Sequence, residues 1–431
     1  MPRNLSFDER LVLRAICLYL HIHQPLRYRD YSIFDVGNDS DYFDSNYNTR
    51  WNNQKIFEKV ASKSYHPMLD LLEKKMHEFP EFKVSFSVTG TWLEQAEKWD
   101  PALISQIKRM VERGQAEIVG ETYYHSLAFF YDLDEFNTQV DLHAKKIKKL
   151  FGVKPKVFRN TELAYNDSLA KWAESKGYDG ILAEGWDKIL GWRSPNHVYR
   201  PAGCKNLKLL LKNYRLSDDI AFRFSNRDWQ GYPLTVKKYQ HWIDHDCLRG
   251  PLINLFMDFE TFGEHQWEDT GIFKFFDKFV SSWLSEYDNK FVTVSEACNL
   301  EPSVAEVSMP ETVTWADTER DLSAWLSNSM QSSALETLFA FKDLVLKTND
   351  KKLIADWRFL TTSDHPYSMC TKYWHDGDVH AYFSAYASPY ESFMYFMNVL
   401  RDVEYRIKLI ETRHWKSPDK NYNFTDRVRN C

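Results

Sequence analysis

The sequence predicts an α/β chain, a barrel of parallel βα units followed by a mostly helical C-terminal region. Three observations predict it. Short apolar runs alternate with helix-like stretches across the first 305 or so residues. The first turn reads His-Gln-Pro-Leu-Arg rather than a glycine-rich loop, which weakens a doubly wound sheet. Beyond about residue 305 the strand-like runs stop and helical spacing takes over.

Seven runs read as strands: Ile16 to His23, Lys83 to Val88, Glu117 to Gly120, Lys156 to Arg159, Gly180 to Ala183, Leu207 to Lys212 and Leu252 to Met257. Pro67 to Phe79 and Leu133 to Phe151 read as helices between them. Seven or eight such units fit a barrel better than an open sheet. The apolar stretch Leu11 to Leu20 is interrupted by Arg14 and runs into His21, so it reads as the first strand and not a leader. Ser388-Pro389-Tyr390-Glu391 has the N-cap, proline and acid of a helix start. Phe393, Phe396, Leu400, Val403 and Ile407 then follow at helical spacing. Ser332 to Leu346 is a second C-terminal helix candidate, and the domain boundary is expected at 305/306.

Composition narrows the function. A net charge of −6 argues against nucleic acid as a partner. No segment approaches the roughly 20 apolar residues of a membrane span. The six cysteines lack CxxC spacing, which argues against a zinc knuckle and fits reduced thiols in the cytoplasm. An aromatic content of 16%, with 15 Trp and 24 Tyr, suits either dense packing or stacking on flat ligand faces such as sugar rings.

Ionisable residues gather where strands end. Leu252 to Met257 runs into Asp258, Glu260, Glu264 and His265, and Asp258 and Glu260 would share a face by the strand's period of two. Charged groups at the end of a buried strand are paired or used, and at the C-terminal end of a parallel barrel strand they point into a site. The first strand ends in His21, His23 and Gln24, open to a metal reading or a polar binding role. The third ends in Glu121 and His125 among tyrosines. The fourth ends in Arg159 and Glu162, where the cation would keep the carboxylate ionised. Two carboxylates on different strands suggest glycoside hydrolysis, and if Glu162 is the nucleophile and Asp258 the acid/base, a separation of about 5–5.5 Å gives retention.

Five short regions then carry a resemblance: His23-Gln24-Pro25, Gly114 to His125, Phe158 to Tyr165, Met257 to Gln266, and Thr362-Ser363-Asp364-His365. In this order and spacing, over nearly the whole chain, they resemble glycoside hydrolase family 57, specifically its α-amylase group. The stretch Ala183 to Trp186 through Arg200-Pro201 is similar to that group too. The resemblance implies an incomplete, TIM-like (β/α)7 barrel over residues 1–305 and a helical domain over 306–431 that contributes to the cleft. It implies Glu162 as nucleophile, Asp258 as acid/base, and Asp364 and His365 completing the substrate site. Pro366 stands where an aromatic residue is expected, a departure that bears on that loop's contacts.

Trp186, Trp192 and Trp229 are candidates for stacking sugar rings, and Asp219 for holding hydroxyls or capping its helix. The expected substrate is an α-1,4-glucan or maltooligosaccharide, with no metal or cofactor. Transfer or branching on the same scaffold, a non-catalytic glucan-binding protein, and a metal-dependent polysaccharide deacetylase are the alternatives. The last would need an aspartate with two histidines.

Overall fold

The computed structural model describes residues 14–43, 52–372 and 384–415. The described residues form ten strands: β1 Arg14–Ile22, β2 Val84–Val88, β3 Ala116–Val119, β4 Val157–Phe158, β5 Gly180–Glu184, β6 Val198–Pro201, β7 Lys208–Lys212, β8 Leu252–Asp258, β9 Asn289–Val292 and β10 Glu306–Val307. The seven runs predicted as strands are β1 to β5, β7 and β8.

These seven form a parallel cycle. β8 pairs with β1, β1 with β2, and β2 with β3. A parallel bridge between Gly120 and Phe158 joins β3 to β4, and β4, β5 and β7 continue in parallel. Between β7 and β8 a side chain takes part. The Asn213 amide donates to the Asn254 carbonyl at 2.9 Å, and Asn254 Nδ2 donates to the Leu211 carbonyl at 2.9 Å. A seam of this kind matches the incomplete barrel that the resemblance implied. β6 pairs antiparallel with β7 and parallel with β10, and β9 lies beside the first residues of β1.

Alternation decides what faces inward. In β1, Ile16, Leu18, Leu20 and Ile22 join the core formed with the surrounding helices. Ala15, Cys17 and Tyr19 join a second core with Val157, Leu182, Leu210, Leu252 and Phe256, which fills the barrel. A strand's side chains alternate between faces. His21 therefore follows Tyr19 inward, and Asp258 follows Phe256. The two are register partners across β1 and β8.

By contacts the chain forms two compact units, Met1–Pro25 with Gln54–Ala324, and Leu26–Asn53 with Trp325–Cys431. The barrel unit thus runs beyond the expected 305/306, and the helical unit draws in a segment that follows β1. A buried acid explains the second point. Asp402, fully buried on the helix Pro389–Trp415, accepts from Gly37 N and Tyr42 Oη, each at 2.6 Å, and pairs with Arg406. That helix starts as expected, with Glu391 N donating to Ser388 Oγ at 3.1 Å. The predicted Ser332–Leu346 helix is broken at Phe341 into Ser329–Ala340 and Lys342–Lys347. Among the described residues no helix is long and apolar enough to cross a membrane, and Cys17, Cys204, Cys247, Cys298 and Cys370 are free and buried.

Candidate active site

The site is assembled from the ends of β1, β3, β4 and β8. His21 Nδ1 lies 2.7 Å from Ser87 Oγ, and its ring stacks on that of His125 with centroids 4.8 Å apart. His23 lies 4.1 Å from the same ring and reaches Thr89 Oγ1 at 2.9 Å. Glu121 is fully buried, with one oxygen 3.6 Å from Arg159 Nη1 and 3.6 Å from His125 Nδ1. His125 Nε2 in turn meets Glu162 Oε1 at 3.1 Å.

The backbone is bent to make this possible. His125, Glu162 and Leu163 have φ of +52°, +57° and +49°. Non-glycine residues rarely adopt that region, and the cost is tolerated where surrounding structure over-determines it. Here Thr122 Oγ1 bonds to Thr161 Oγ1 at 2.9 Å, tying the loops after β3 and β4 together.

Charge sets the protonation states. Burial pushes the Asp258 carboxyl up and the negative charge of Glu162 adds to it, against Arg159, His125 and Lys212, so it rises to about 6. Burial alone would lower His125, but its bonds to Glu121 and Glu162 win and raise it to about 9. Burial, together with the charges of Arg159 and His125, holds His21 well below its ordinary value. A neutral His21 thus packs beside an imidazolium that pairs with Glu162.

Glu260 does not share a face with Asp258. The strand ends at Asp258, and Phe259–Thr261 forms a 3-10 turn that breaks the period of two. Glu260 is buried and accepts from Tyr65 Oη at 2.7 Å; burial and the charge of Asp258 raise it to about 8. Glu264 takes Lys59 at 2.7 Å, and His265 is lowered to about 4 by burial. Gln24 is buried, its carbonyl accepting from Gln95 Nε2 at 2.7 Å.

The loop after Asp258 can turn because of Gly263. Its φ is +109°, and a Cβ there would lie 1.9 Å from the Lys63 carbonyl oxygen. Gly263→Ala is expected to destabilise the protein by about 1–3 kcal/mol, measured as a lower Tm, and to reduce activity by displacing the Glu260 turn. A variant with unaltered Tm would contradict this packing.

Asp219 sits on the helix Tyr214–Ala221, bonded at 2.6 Å to Arg223 four residues on. Trp229 packs on Trp242 with centroids 5.8 Å apart. Trp186 is half-buried with the Lys188 ammonium 5.0 Å from its ring, while Trp192 is 90% exposed. Asp364 begins a short helix, Asp364–Tyr367, in the helical unit. His365 is buried there, with Nε2 3.2 Å from the Phe359 carbonyl and its ring 5.0 Å from Tyr28.

Two residues were missed by sequence reasoning. Lys212, at the end of β7, pairs with Asp218 at 3.0 Å and Glu184 at 3.7 Å. Trp315 donates its indole N–H to Glu162 Oε2 at 3.0 Å. The available signals were a lysine closing an apolar strand and a tryptophan just past Pro310.

His21, Glu121 and His125 could offer a metal three ligand atoms within 4.8 Å of one another. A cation there would have to displace the proton that Glu121 and Glu162 hold on His125, which is raised to about 9. The Arg159 guanidinium, buried beside Glu121, already supplies positive charge.

The site holds an inward carboxyl that burial and the charge of Glu162 raise to about 6, and a second carboxylate with a donor on each oxygen. Comparison with known proteins shows the family. The model of "Glycosyl hydrolase family 57" matches residues 17–310. A Methanocaldococcus jannaschii protein named "Putative alpha-amylase" is 41% identical over 89% of this chain and 86% of its own. In fold, the chain resembles the alpha-amylase AmyC of Thermotoga maritima, with TM-score 0.61, 12% identity, and 93% and 96% of the two chains covered. It also resembles a GH57 branching enzyme of Thermococcus kodakaraensis, with TM-score 0.62, 14% identity, and 86% and 87% covered. This chain belongs to glycosyl hydrolase family 57.

Proposed function

We propose that the protein is a retaining hydrolase of α-1,4-glucans of the starch and glycogen type. One observation carries this reading: the Asp258 carboxyl, raised to about 6, is coupled to Glu162, a carboxylate held by His125 and Trp315. An acid and a nucleophile need those two environments. Glu162 attacks the anomeric carbon while Asp258 gives its proton to the departing glycosidic oxygen. Asp258, now ionised, takes a proton from water, which attacks the same carbon and releases Glu162. Arg159 and His125 supply the positive charge that keeps Glu162 available for attack. Glu260, held by Tyr65, fixes the turn that follows the acid.

Amylose incubated with the protein and followed by proton NMR is the test. The reading expects α-configured reducing ends first, and β-configured first products would overturn it. Transfer in place of hydrolysis would use the same two carboxylates with a sugar hydroxyl as acceptor, and the fold shared with a branching enzyme favours checking it. With maltotriose, early products longer than the substrate would indicate transfer.

The proton on Asp258 also sets a pH dependence. A general acid must be protonated, so kcat/KM should fall as pH rises through about 6. A profile flat to pH 8 would count against Asp258 as the acid.

A further inference from the structure

Trp315 meets Glu162 twice. Its indole N–H donates to Oε2 at 3.0 Å, and its backbone N–H donates to the Glu162 carbonyl oxygen at 3.3 Å. The segment that carries it is laid along the loop after β4. Tyr165 and Val313 exchange two backbone bonds of 2.9 Å each, an antiparallel bridge two residues before the tryptophan. The turn beyond is closed by Thr314, whose N–H donates to the Arg320 carbonyl and whose hydroxyl donates to that of Asp321, both at 2.9 Å. Asp317 and Arg320 in that turn take φ of +55° and +51°. Strained backbone of this kind is kept where a particular side-chain placement depends on it.

The indole is also flanked by cations. The Arg159 guanidinium lies 5.2 Å and the Lys212 ammonium 5.4 Å from its ring, distances at which the ring quadrupole attracts a positive charge. The ring is thereby fixed by its own hydrogen bond and by two buried charges.

We propose that Trp315 is a positioning residue for the nucleophile, a donor that holds one oxygen of Glu162 at every working pH. This rests on the reading of Glu162 as the nucleophile. The two donors on that carboxylate are unlike. The His125 imidazole can lose a proton and become an acceptor, whereas an indole N–H is a donor only. When Glu162 forms its bond to the anomeric carbon and the glycosidic bond breaks, the indole proton stays on nitrogen. When water later breaks the ester, the same N–H receives the returning carboxylate charge. It would thus serve both steps without itself taking part in proton transfer.

The test is W315F, beside E162Q, in the full chain acting on a maltooligosaccharide. Loss of a hydrogen bond to a charged group predicts a fall in kcat of about 10- to 100-fold. KM should change by less than about threefold, since the donor acts on the enzyme's own carboxylate. The acid limb of kcat/KM should move to higher pH, because a carboxylate that loses a donor binds its proton more tightly. A benzothienylalanine side chain at 315, which keeps the ring and replaces N–H by sulfur, should give the same result if packing alone is not the cause. Unchanged kcat and an unmoved acid limb in a folded variant would overturn the proposal. So would a raised KM at wild-type kcat, which would make the ring a sugar platform instead. If E162Q itself turns over normally, the nucleophile reading fails, an outcome distinguishable from failure of Trp315 alone.

Discussion

Glu162→Gln is expected to lower kcat/KM on amylose by about 10⁴-fold or more, with a much smaller effect on stability. Gln keeps the shape and one acceptor oxygen. Its amide oxygen can accept only by facing Trp315, a donor, and its amide nitrogen then needs His125 as an acceptor, in its neutral form. The variant also loses the charge that helps raise His125 and Asp258. An amide cannot form the glycosyl ester, so the loss should reach substrates with good leaving groups as well as amylose. Steady-state kinetics with amylose and an aryl maltoside measure it. Activity near wild type on either substrate would remove Glu162 from the nucleophile's role.

Asp258→Asn should behave differently, and the difference separates the two carboxylates. General acid catalysis contributes about 10²–10⁴-fold, and its share depends on how poor the leaving group is. Hydrolysis of amylose should therefore fall by about 10³-fold or more. With an activated aryl maltoside the first step needs little proton donation, and the variant should keep far more of its rate. The second step still lacks a base, so a small anion such as azide, which needs no deprotonation, should speed turnover and give a glycosyl azide of retained configuration. Equal losses on both substrates, with no effect of azide, would contradict the assignment. Neutralising this position also relieves burial of a carboxylate pushed up to about 6, so no loss of Tm is expected.

Much of this architecture was legible in the sequence because alternation and strand ends are local signals. The seven strands could be read as apolar runs, and period two within β8 puts Asp258 on the barrel's inner face with Phe256. Glu162 was legible as an acid just past a buried strand. The same rule misplaced Glu260, because it holds only while the strand lasts and a 3-10 turn begins at Phe259. Asp219 could be read as a sugar ligand or a helix cap; it lies inside the helix Tyr214–Ala221, which Asn213 caps, and bonds Arg223 at the i+4 spacing that any helix offers.

What was not legible depends on long-range pairing. Trp315 stands 153 positions from Glu162 and has no periodic context. Its placement follows from the Tyr165–Val313 bridge, which no local pattern announces. Leu26–Asn53 joins the helical unit through a buried aspartate on the helix Pro389–Trp415. Asp402 interrupts an apolar stripe there, and a buried acid must find donors somewhere in the chain. The protonation of His125 was equally hidden, since it rests on two carboxylates from different loops outweighing complete burial.

A nucleophilic Glu162 forms a covalent bond to the sugar. A fluorinated maltosyl fluoride, which slows the second step more than the first, should leave the enzyme glycosylated. Peptide mass mapping should then find one maltosyl adduct on the peptide containing Glu162, and none in E162Q. An inactive E162Q together with a wild-type enzyme that never carries an adduct, or an adduct on another carboxylate, would contradict it.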